Sequence, residues 1–318
     1  MEYTRTVLIT GGTSGLGFHC ATNIARQHPE YLVVVASRTD NAAAESINKS
    51  LKQKNVTYLS LDLASLTNVR AFVKNWESKN FPPIQILLLN AGLQFPHKLR
   101  KTSDGMEATF AINHVGHALL FHLLYRHLDP KARVVITASG THDPAQKTGL
   151  PDAKYTTAEE LAHPTAATVN NPGRQRYATS KLVNIMWTYA LNRRLSNAKK
   201  NITVVAFDPG LMPGTGLARE ASGAEHWLWI HLMPRMIPLL RALLTPNIHT
   251  VEDSGASLTR LALDSEIESQ SGAYFEGRKV IKSSVESYDE SKQEELWGWT
   301  VKNVALDKEE AKRFEMLS

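Results

Sequence analysis

The chain has 318 residues, of which 42% are hydrophobic and 21% are charged. These proportions are ordinary for a folded globular protein and exclude a disordered, collagen-like or low-complexity chain. At about 150 residues per domain, the length alone suggests two domains. The single cysteine, Cys20, excludes an intrachain disulfide and a metal centre built from cysteines alone. The net charge of +5 comes from basic residues scattered along the chain, so a nucleic-acid partner is not expected.

The first residues and one later segment bear on the expected location. Met1–Arg5 leads directly into an apolar run and lacks the features of a signal peptide, which favours a cytoplasmic protein. The segment 226–244 is long enough to cross a membrane, but it contains Arg235 and Arg241, whose charges are costly at the centre of a bilayer. Two interpretations of 226–244 stay open: a lid over a substrate site, which we favour, or a patch in peripheral contact with a membrane surface.

Short apolar runs alternate with segments of helical periodicity. Such β-branched, nearly continuous runs are typical of strands buried on both faces. The alternation predicts an α/β fold in which right-handed crossovers build a parallel, doubly wound sheet of about seven strands. The predicted strands are Thr6–Thr10, Tyr31–Ala36, Val56–Leu61, Ile84–Asn90, Arg133–Ala138 and Ile202–Phe207. The predicted helices include Leu16–Arg26, Leu66–Lys79, Asp104–His127 and Tyr177–Leu195.

Residues 143–176 form the longest segment without a predicted element, and four prolines interrupt it. Loops of this length inside compact domains are usually functional. Because the segment joins a strand to a helix, it is expected to fold over the carboxyl end of the sheet. Together with the lid at 226–244 and a C-terminal extension at 276–318, it is interpreted as an elaboration of a single domain over 1–318, which replaces the two-domain estimate.

A glycine-rich turn follows the first predicted strand and opens a helix. Its glycines, Gly11, Gly15 and Gly17, are spaced so that the backbone can turn tightly against a pyrophosphate at the helix N-terminus. At the end of the second strand, where NAD-binding sheets carry an acidic residue, the chain has Ser37 and Arg38. A guanidinium can bind a 2′-phosphate through charge-assisted hydrogen bonds, so NADP(H) is the predicted cofactor.

Tyr177 and Lys181 form a second functional pattern, one helical turn apart on the same face. A phenol has a pKa near 10, and a neighbouring ammonium stabilises the phenolate and lowers that pKa. The pair is therefore a candidate general acid/base. Four histidines on one predicted helix do not share a face, so no metal site is expected. These are His114, His117, His122 and His127.

The order of these and further motifs resembles that of the short-chain dehydrogenase/reductase family over residues 5–275. The ending, Ser271–Phe275 followed by Leu296-Trp297, is similar to that of retinol-dehydrogenase-like and protochlorophyllide-reductase-like members. The matching motifs are TGGTSGLG at Thr10–Gly17, Asp62-Leu63, Asn90-Ala91-Gly92, Asn113, Ser139, Tyr177 with Lys181, and Asp208-Pro209-Gly210. The resemblance implies a Rossmann-type fold and an NADP(H)-dependent oxidoreductase. It also leaves the oligomeric state open between a monomer and a homodimer formed through the helices after strands four and five.

The resemblance also implies catalytic roles. Tyr177 would exchange a proton with the substrate oxygen, Ser139 would hydrogen-bond the same oxygen, and Lys181 would hold the nicotinamide ribose. Asn113 would position a water in a proton relay that reaches Lys181. Thr137, two residues before Ser139, is an alternative to it. The implied cofactor-binding residues are Gly11, Thr13, Ser14, Gly15, Leu16, Gly17, Ser37, Arg38, Asp62, Leu63, Asn90, Gly92, Tyr177, Lys181, Pro209, Gly210, Leu211 and Thr215.

The lid composition indicates the substrate class. Aromatic side chains and flexible methionines suit a bulky apolar ligand, so a hydrophobic carbonyl or alcohol such as a retinoid, steroid, lipid or polyketide-like compound is predicted. The candidate substrate contacts are Trp227, Trp229, Met233 and Met236. Two other functions stay open: a C=C reductase of the protochlorophyllide-reductase type, disfavoured because the only cysteine lies in the first helix, and a catalytically silent NADP-binding sensor or scaffold.

Overall fold

The computed structural model describes residues 3–215, 223 and 227–317. Within them, eight strands form one sheet in the order β3-β2-β1-β4-β5-β6-β7-β8, in which only β8 runs antiparallel to its neighbour. The strands are β1 (Arg5–Thr10), β2 (Tyr31–Ser37), β3 (Val56–Ser60), β4 (Ile84–Leu89), β5 (Leu128–Thr137), β6 (Thr203–Asp208), β7 (Tyr274–Glu276) and β8 (Lys279–Ile281). The predicted α/β fold with a doubly wound parallel sheet is confirmed, and β8 is an additional hairpin partner of β7.

The α-helices pack on both faces of this sheet. Several begin with a side-chain cap, as where Ser65 Oγ accepts a hydrogen bond from Asn68 N; such a cap stabilises a helix by about 1 kcal/mol. The helices are α1 (Gly15–Gln27), α2 (Ala43–Leu51), α3 (Leu66–Glu77), α4 (Ala108–Phe110), α5 (Gly116–Leu124), α6 (Ala158–Ala162), α7 (Gly173–Asn197), α8 (Ile237–Leu243), α9 (Val251–Leu263), α10 (Glu290–Val304) and α11 (Lys308–Met316).

The alternation of side chains along each strand divides the core into two layers. In β1, Leu8 belongs to the layer beneath α3, α5 and α7, whereas Val7 and Ile9 belong to the layer beneath α1 and α9. All three side chains are fully buried, and burial of such a side chain contributes about 1.5–3 kcal/mol. A strand apolar on both faces therefore reads as a continuous apolar run, as the sequence predicted.

The predicted helix over Asp104–His127 is interrupted in the structure. It begins with α4 at Ala108, passes through a π-helical turn at Ala111–Val115 and continues as α5. A π turn widens the helix by one residue and is often found at functional sites. Gly116, directly after this turn, lies so close to the loop after β3 that a Cβ there would be 2.5 Å from the carbonyl oxygen of Leu63.

The C-terminal extension packs along α7 and α5. In α10, Trp297 stacks on Trp187 of α7 with ring centroids 6.4 Å apart and meets His122 of α5 at 5.3 Å. In α11, Glu310 accepts hydrogen bonds from Arg70 of α3 at 2.7 and 2.9 Å. The extension therefore completes the core on this side of the sheet. In the described part of the chain, no helix is long and apolar enough to cross a membrane.

Candidate active site

A cavity of about 810 Å³ lies at the carboxyl ends of the parallel strands, which is where open α/β sheets bind their ligands. Every residue predicted to bind the cofactor lines it: Gly11, Thr13, Ser14, Gly15, Leu16, Gly17, Ser37, Arg38, Asp62, Leu63, Asn90, Gly92, Tyr177, Lys181, Pro209, Gly210, Leu211 and Thr215. Of the other predicted site residues, Ser139, Trp229 and Met233 also line it. Residues from the loop at 143–176 contribute Gln146, Lys147, Thr148, Gly149 and Leu150, which sequence reasoning did not single out.

The glycine loop between β1 and α1 is shaped by contacts that only glycine allows. Gly11 has a φ of +67°, a left-handed conformation that disfavours other residues. A Cβ on Gly17 would lie 2.4 Å from the carbonyl oxygen of Gly11. The first residues of α1, Gly15, Leu16 and Gly17, line the cavity, and the helix dipole makes this position favourable for an anion.

The loop after β2 closes the far end of the cavity. Thr13 Oγ1 and Ser37 Oγ are 2.8 Å apart, and Ser37 Oγ donates to the carbonyl oxygen of Thr39 at 2.6 Å. Tyr58 Oη donates to the carbonyl oxygen of Ser37 at 3.0 Å, which fixes the backbone there. Arg38 is exposed at this edge of the cavity and places a positive charge there.

A buried polar network joins β1, β4 and the π turn. Thr10 Oγ1 accepts hydrogen bonds from the backbone N–H groups of Asn90 and Ala91 at 2.8 and 3.0 Å. His117 Nδ1 lies 3.2 Å from the carbonyl oxygen of Asn113, and its Nε2 lies 2.9 Å from Thr10 Oγ1. Burial lowers the pKa of His117 to about 4, so this ring is neutral and structural.

Tyr177 and Lys181 both lie in α7 and are buried, at 6% and 3% exposure. The Tyr177 phenol hydrogen-bonds to the side chain of Ser139, at the end of β5. Lys181 Nζ donates to the carbonyl oxygen of Thr137 at 3.0 Å and lies 5.6 Å from the centroid of the Tyr177 ring. Gly92 packs against this ammonium, since a Cβ there would be 3.3 Å from Nζ.

Burial is the largest influence on the pKa of both Tyr177 and Lys181. Burial and the nearby Asp208 carboxylate raise the pKa of Tyr177, although its hydrogen bond with Ser139 opposes them. Burial also lowers the pKa of Lys181 to about 8, against the attraction of Asp208. That Lys181 lowers the Tyr177 pKa stays a prediction: in this structure the ammonium donates to Thr137, and burial is the largest influence on the pKa of the phenol.

Asn113 lies in the π turn, is 1% exposed, and does not line the cavity. Its Nδ2 donates to the carbonyl oxygen of Leu93 at 3.0 Å and to Ser180 Oγ at 2.9 Å, and its Oδ1 accepts from Leu93 N at 3.0 Å. Both amide hydrogens are thus donated to protein partners. This side chain ties the loop after β4 to α7, and a relay water could contact it only through Oδ1.

Asp208, at the end of β6, is a buried carboxylate whose surroundings the sequence did not reveal. Its Oδ1 accepts from Gly210 N at 2.9 Å, its Oδ2 accepts from Asn247 Nδ2 at 2.8 Å, and the backbone N–H of Gly140 donates to it as well. Burial raises the pKa of Asp208 to about 6 despite these donors. The only sequence signal was its position in the Asp208-Pro209-Gly210 motif.

The lid segment presents different residues to the cavity and to solvent. Trp229 lines the cavity, and its Nε1 donates to the carbonyl oxygen of Thr215 at 2.9 Å. Met233 also lines it, but Trp227 and Met236 do not, because the helical path turns them away. The side chain of Trp227 is 59% exposed. The first residue of the predicted lid, 226, lies outside the described residues.

Among the residues that the structure describes, no cluster of histidine, cysteine, aspartate or glutamate could hold a metal ion. Cys20 lies on the buried face of α1, outside the cavity lining, and burial raises the pKa of its thiol to about 12.

The fold and the tyrosine–lysine pair beside a glycine loop define the class of Rossmann-type oxidoreductases. The short chain dehydrogenase family model matches residues 5–151. Human polyprenol dehydrogenase is 31% identical over 304 residues, which cover 92% of this chain and 83% of that protein. Protochlorophyllide reductase of Pisum sativum is 28% identical over 321 residues, covering 94% of this chain and 78% of that protein.

Structural comparison gives the same fold. The crystal structure of an uncharacterized protein from Mycobacterium paratuberculosis matches with a TM-score of 0.64 and 24% identity, covering 95% of this chain and 94% of that one. The chain belongs to the short-chain dehydrogenase/reductase family. The family membership predicted from the ordered motifs is confirmed, and with it an oxidoreductase of the Rossmann type.

Proposed function

We propose that this protein is an NADP(H)-dependent oxidoreductase that interconverts an apolar carbonyl compound and its alcohol. The observation that carries the proposal is that Tyr177, hydrogen-bonded to Ser139, and Lys181 face the same cavity as the glycine loop. A proton donor, a hydrogen-bond donor for an oxygen and a cation thus converge beside a dinucleotide-shaped groove, as carbonyl reduction requires.

The residues of the groove fit a nicotinamide dinucleotide. Gly11 and Gly17 let the loop pack tightly, since a Cβ at Gly17 would lie 2.4 Å from the carbonyl oxygen of Gly11, and this packing holds the loop beside the helix N-terminus where a pyrophosphate would bind. Arg38 supports NADP(H) over NAD(H), because a guanidinium attracts a 2′-phosphate and no carboxylate stands in its place at the end of β2. When bound, the nicotinamide donates or accepts a hydride, which carries two electrons.

The protein side chains handle the proton. In the reductive direction, the substrate carbon gains the hydride while the O–H bond of Tyr177 breaks and its proton forms the new alcohol O–H. Ser139 donates a hydrogen bond to the same oxygen, and Lys181 stabilises the phenolate left on Tyr177, which regains a proton from solvent. In the oxidative direction the same groups act in reverse, with Tyr177 as the base.

The lining of the cavity supports an apolar substrate. Leu228, Trp229 and Met233 of the lid and Met212 of the preceding loop line it. Flexible methionines and an indole adapt to a bulky apolar ligand without fixed polar contacts. The human relative is a dehydrogenase of polyprenol, a long apolar alcohol. We therefore propose a bulky lipid-like carbonyl or alcohol as the substrate class.

The test is NADPH oxidation over a panel of apolar and small polar carbonyl compounds. Tyr177→Phe is expected to lower kcat by at least about 100-fold while NADPH binding is kept, because only the transferable proton is removed. Tyr31→Phe, on the protein surface beside His28, is the matched control and should retain full activity. Full activity in Tyr177→Phe would refute the mechanism, and a preference for small polar ketones would refute the substrate class.

The similarity to protochlorophyllide reductase of Pisum sativum supports a second candidate function, a C=C reductase of the same type. Cys20 lies outside the cavity lining, so no thiol of the described residues faces a pigment there. Product analysis separates the two, since an alcohol and a saturated carbonyl compound differ in the bond reduced. NADPH binding without turnover of any compound would instead favour the sensor or scaffold.

The oligomeric state and location stay proposals. A homodimer through the helices after β4 and β5 would have to form around α10 and α11, because Trp297 and Phe314 of the extension already pack against His122 of α5. We keep the cytoplasm as the proposed location, with a peripheral membrane contact through the lid.

A further inference from the structure

The outer face of the lid is unusually apolar for a protein surface. Within the described residues, twelve large hydrophobic side chains are exposed, and six of them lie in 227–244. We call these six the lid ridge: Trp227 (59% exposed), Leu228 (42%), Leu232 (39%), Leu239 (49%), Leu243 (71%) and Leu244 (66%). A concentration of this kind marks a surface that is covered by a partner.

The charged side chains within the segment that carries the lid ridge have one sign. Residues 227–249 contain no aspartate or glutamate, but they contain Arg235 and Arg241. Arg235 is exposed, and its guanidinium donates to the carbonyl oxygen of His231. Arg241 is held more firmly, with its Nε 2.5 Å from the carbonyl oxygen of Ile248 and its Nη2 3.4 Å from Asp253. Apolar side chains beside an exposed cation suit an anionic lipid surface.

The lid ridge is continuous with the mouth of the cavity. Leu228 and Leu244 are both exposed and part of the cavity lining, so they form the rim between the two surfaces. Inside the rim, Trp229 and Met233 continue the apolar lining toward the site. A folded protein seated on the ridge would seal this mouth, whereas the acyl region of a bilayer would open directly into it.

We infer that the lid ridge docks on the surface of a lipid bilayer, with its leucines and Trp227 below the headgroups and Arg235 among the phosphates. The segment then serves both as lid and as membrane contact, with different residues on its two faces. The docking does not depend on the reaction. Its consequence, that an apolar substrate enters the cavity from the bilayer without crossing water, rests on the proposed function.

Flotation of the full chain with vesicles tests the docking without any turnover. The vesicles are phosphatidylcholine with and without phosphatidylserine. The double variant Leu239→Asp/Leu243→Asp is expected to bind at least about tenfold more weakly than the wild type, because two apolar contacts become charges. Neither leucine lines the cavity, so turnover of a water-soluble carbonyl compound should be unchanged.

The matched control is Val285→Asp/Leu306→Asp, which introduces the same charge at side chains that are 92% and 74% exposed elsewhere. It is expected to bind vesicles like the wild type. Arg235→Gln should weaken binding about fivefold on phosphatidylserine vesicles only. A wild type that does not float, or a lid variant that floats equally well, would overturn the inference. So would self-association that the lid variant loses without any vesicle binding, since a second copy would then be the partner.

Quenching by brominated lipid gives an independent measurement. Trp227 is expected to be quenched by bromines near the headgroups, so Trp227→Phe should lose most of the quenching that the wild type shows. Equal quenching in the variant would contradict the proposed orientation. These measurements need no substrate, so the two proposals can fail separately. An inactive wild type that binds vesicles would refute the proposed reaction but not the docking. An active wild type that does not bind vesicles would refute the docking but not the reaction.

Discussion

Asp208 and Asn247 are joined by a hydrogen bond of 2.8 Å between Oδ2 and Nδ2, which ties the end of β6 to the segment that follows the lid. The same carboxylate accepts from the backbone of Gly210 and Gly140. It thereby connects the loop that carries Ser139 with the loop after β6, and its charge raises the pKa of Tyr177. We therefore propose that Asp208 acts as a positioning residue for the proposed reaction and influences it electrostatically.

Asp208→Asn should shift the Tyr177-dependent limb of the pH profile to lower pH. The reason is that Asp208 raises the pKa of Tyr177, so removing the charge favours the phenolate at lower pH. The measurement is kcat/KM for alcohol oxidation against pH. Asn247→Ala is the control, because it removes the hydrogen bond but keeps the carboxylate, and its limb should stay in place. A purely structural Asp208 would leave the limb unmoved in both variants.

Arg38→Asp should weaken NADPH binding by about tenfold to a hundredfold, because hydrogen bonds to charged groups contribute about 1.5–3 kcal/mol. NADH binding should improve, since a carboxylate there can accept from the ribose 2′-hydroxyl. Both affinities can be measured by nucleotide fluorescence titration. The exposed Arg278→Asp makes the same charge change outside the cavity lining and should alter neither affinity. Unchanged discrimination in Arg38→Asp would rule out a role for this guanidinium.

Two glycine-to-alanine substitutions should change the free energy of unfolding in opposite directions. Gly17→Ala is expected to lower the free energy of unfolding by about 1–3 kcal/mol and to abolish dinucleotide binding, since overpacking forces the glycine loop to move. Its Cβ would lie 2.4 Å from the carbonyl oxygen of Gly11. Gly298→Ala in α10 meets no atom within 4 Å and should stabilise the protein by about 0.5–1 kcal/mol. Denaturant unfolding measures both. If both substitutions changed the free energy of unfolding equally, crowding of Gly17 in the glycine loop would not explain the loss.

The ion pair of Arg70 and Glu310 joins α3 to the C-terminal extension, and substitutions there measure how much it stabilises the fold. Burial opposes ionisation of this carboxyl, but hydrogen bonds from Arg70 and Leu306 lower its pKa overall. Arg70→Leu should cost about 1.5–3 kcal/mol of unfolding free energy, because a buried carboxylate loses charged donors. Arg313, whose side chain is half-exposed, lies 3.6 Å from the same carboxylate. Arg313→Leu should therefore lower the free energy of unfolding by less than about 1 kcal/mol. Equal losses would mean that burial of the pair does not matter.

The pH dependence of that contribution has a definite sign. A carboxyl whose pKa is lower in the folded than in the unfolded state stabilises the fold above its unfolded pKa. The stability that Glu310 contributes is therefore present at neutral pH and is lost as the pH falls below its ordinary value of 4.5. Denaturant unfolding as a function of pH should show this loss in the wild type and a smaller one in Glu310→Gln.

Local patterns were sufficient for the sheet and much of the site. The apolar runs predicted strands β1 to β6 because a strand buried on both faces must be apolar along its length. The glycine spacing and the Tyr177–Lys181 pair are set by neighbours within one turn, so they could be recognised without knowledge of the packing. The π turn at Ala111–Val115 was missed, because helical periodicity does not mark the insertion of one residue.

The sequence by itself determined the order of strands and helices, the family, and many of the residues that line the cavity. Only the tertiary structure decided which partners surround Asp208, which groups accept the hydrogen bonds of the Asn113 amide, and which lid residues face the cavity. It also decided that burial and the Asp208 carboxylate raise the pKa of Tyr177. These properties depend on burial and on contacts between segments far apart in the chain, and the free energy of desolvating a charge is fixed only when those segments pack together.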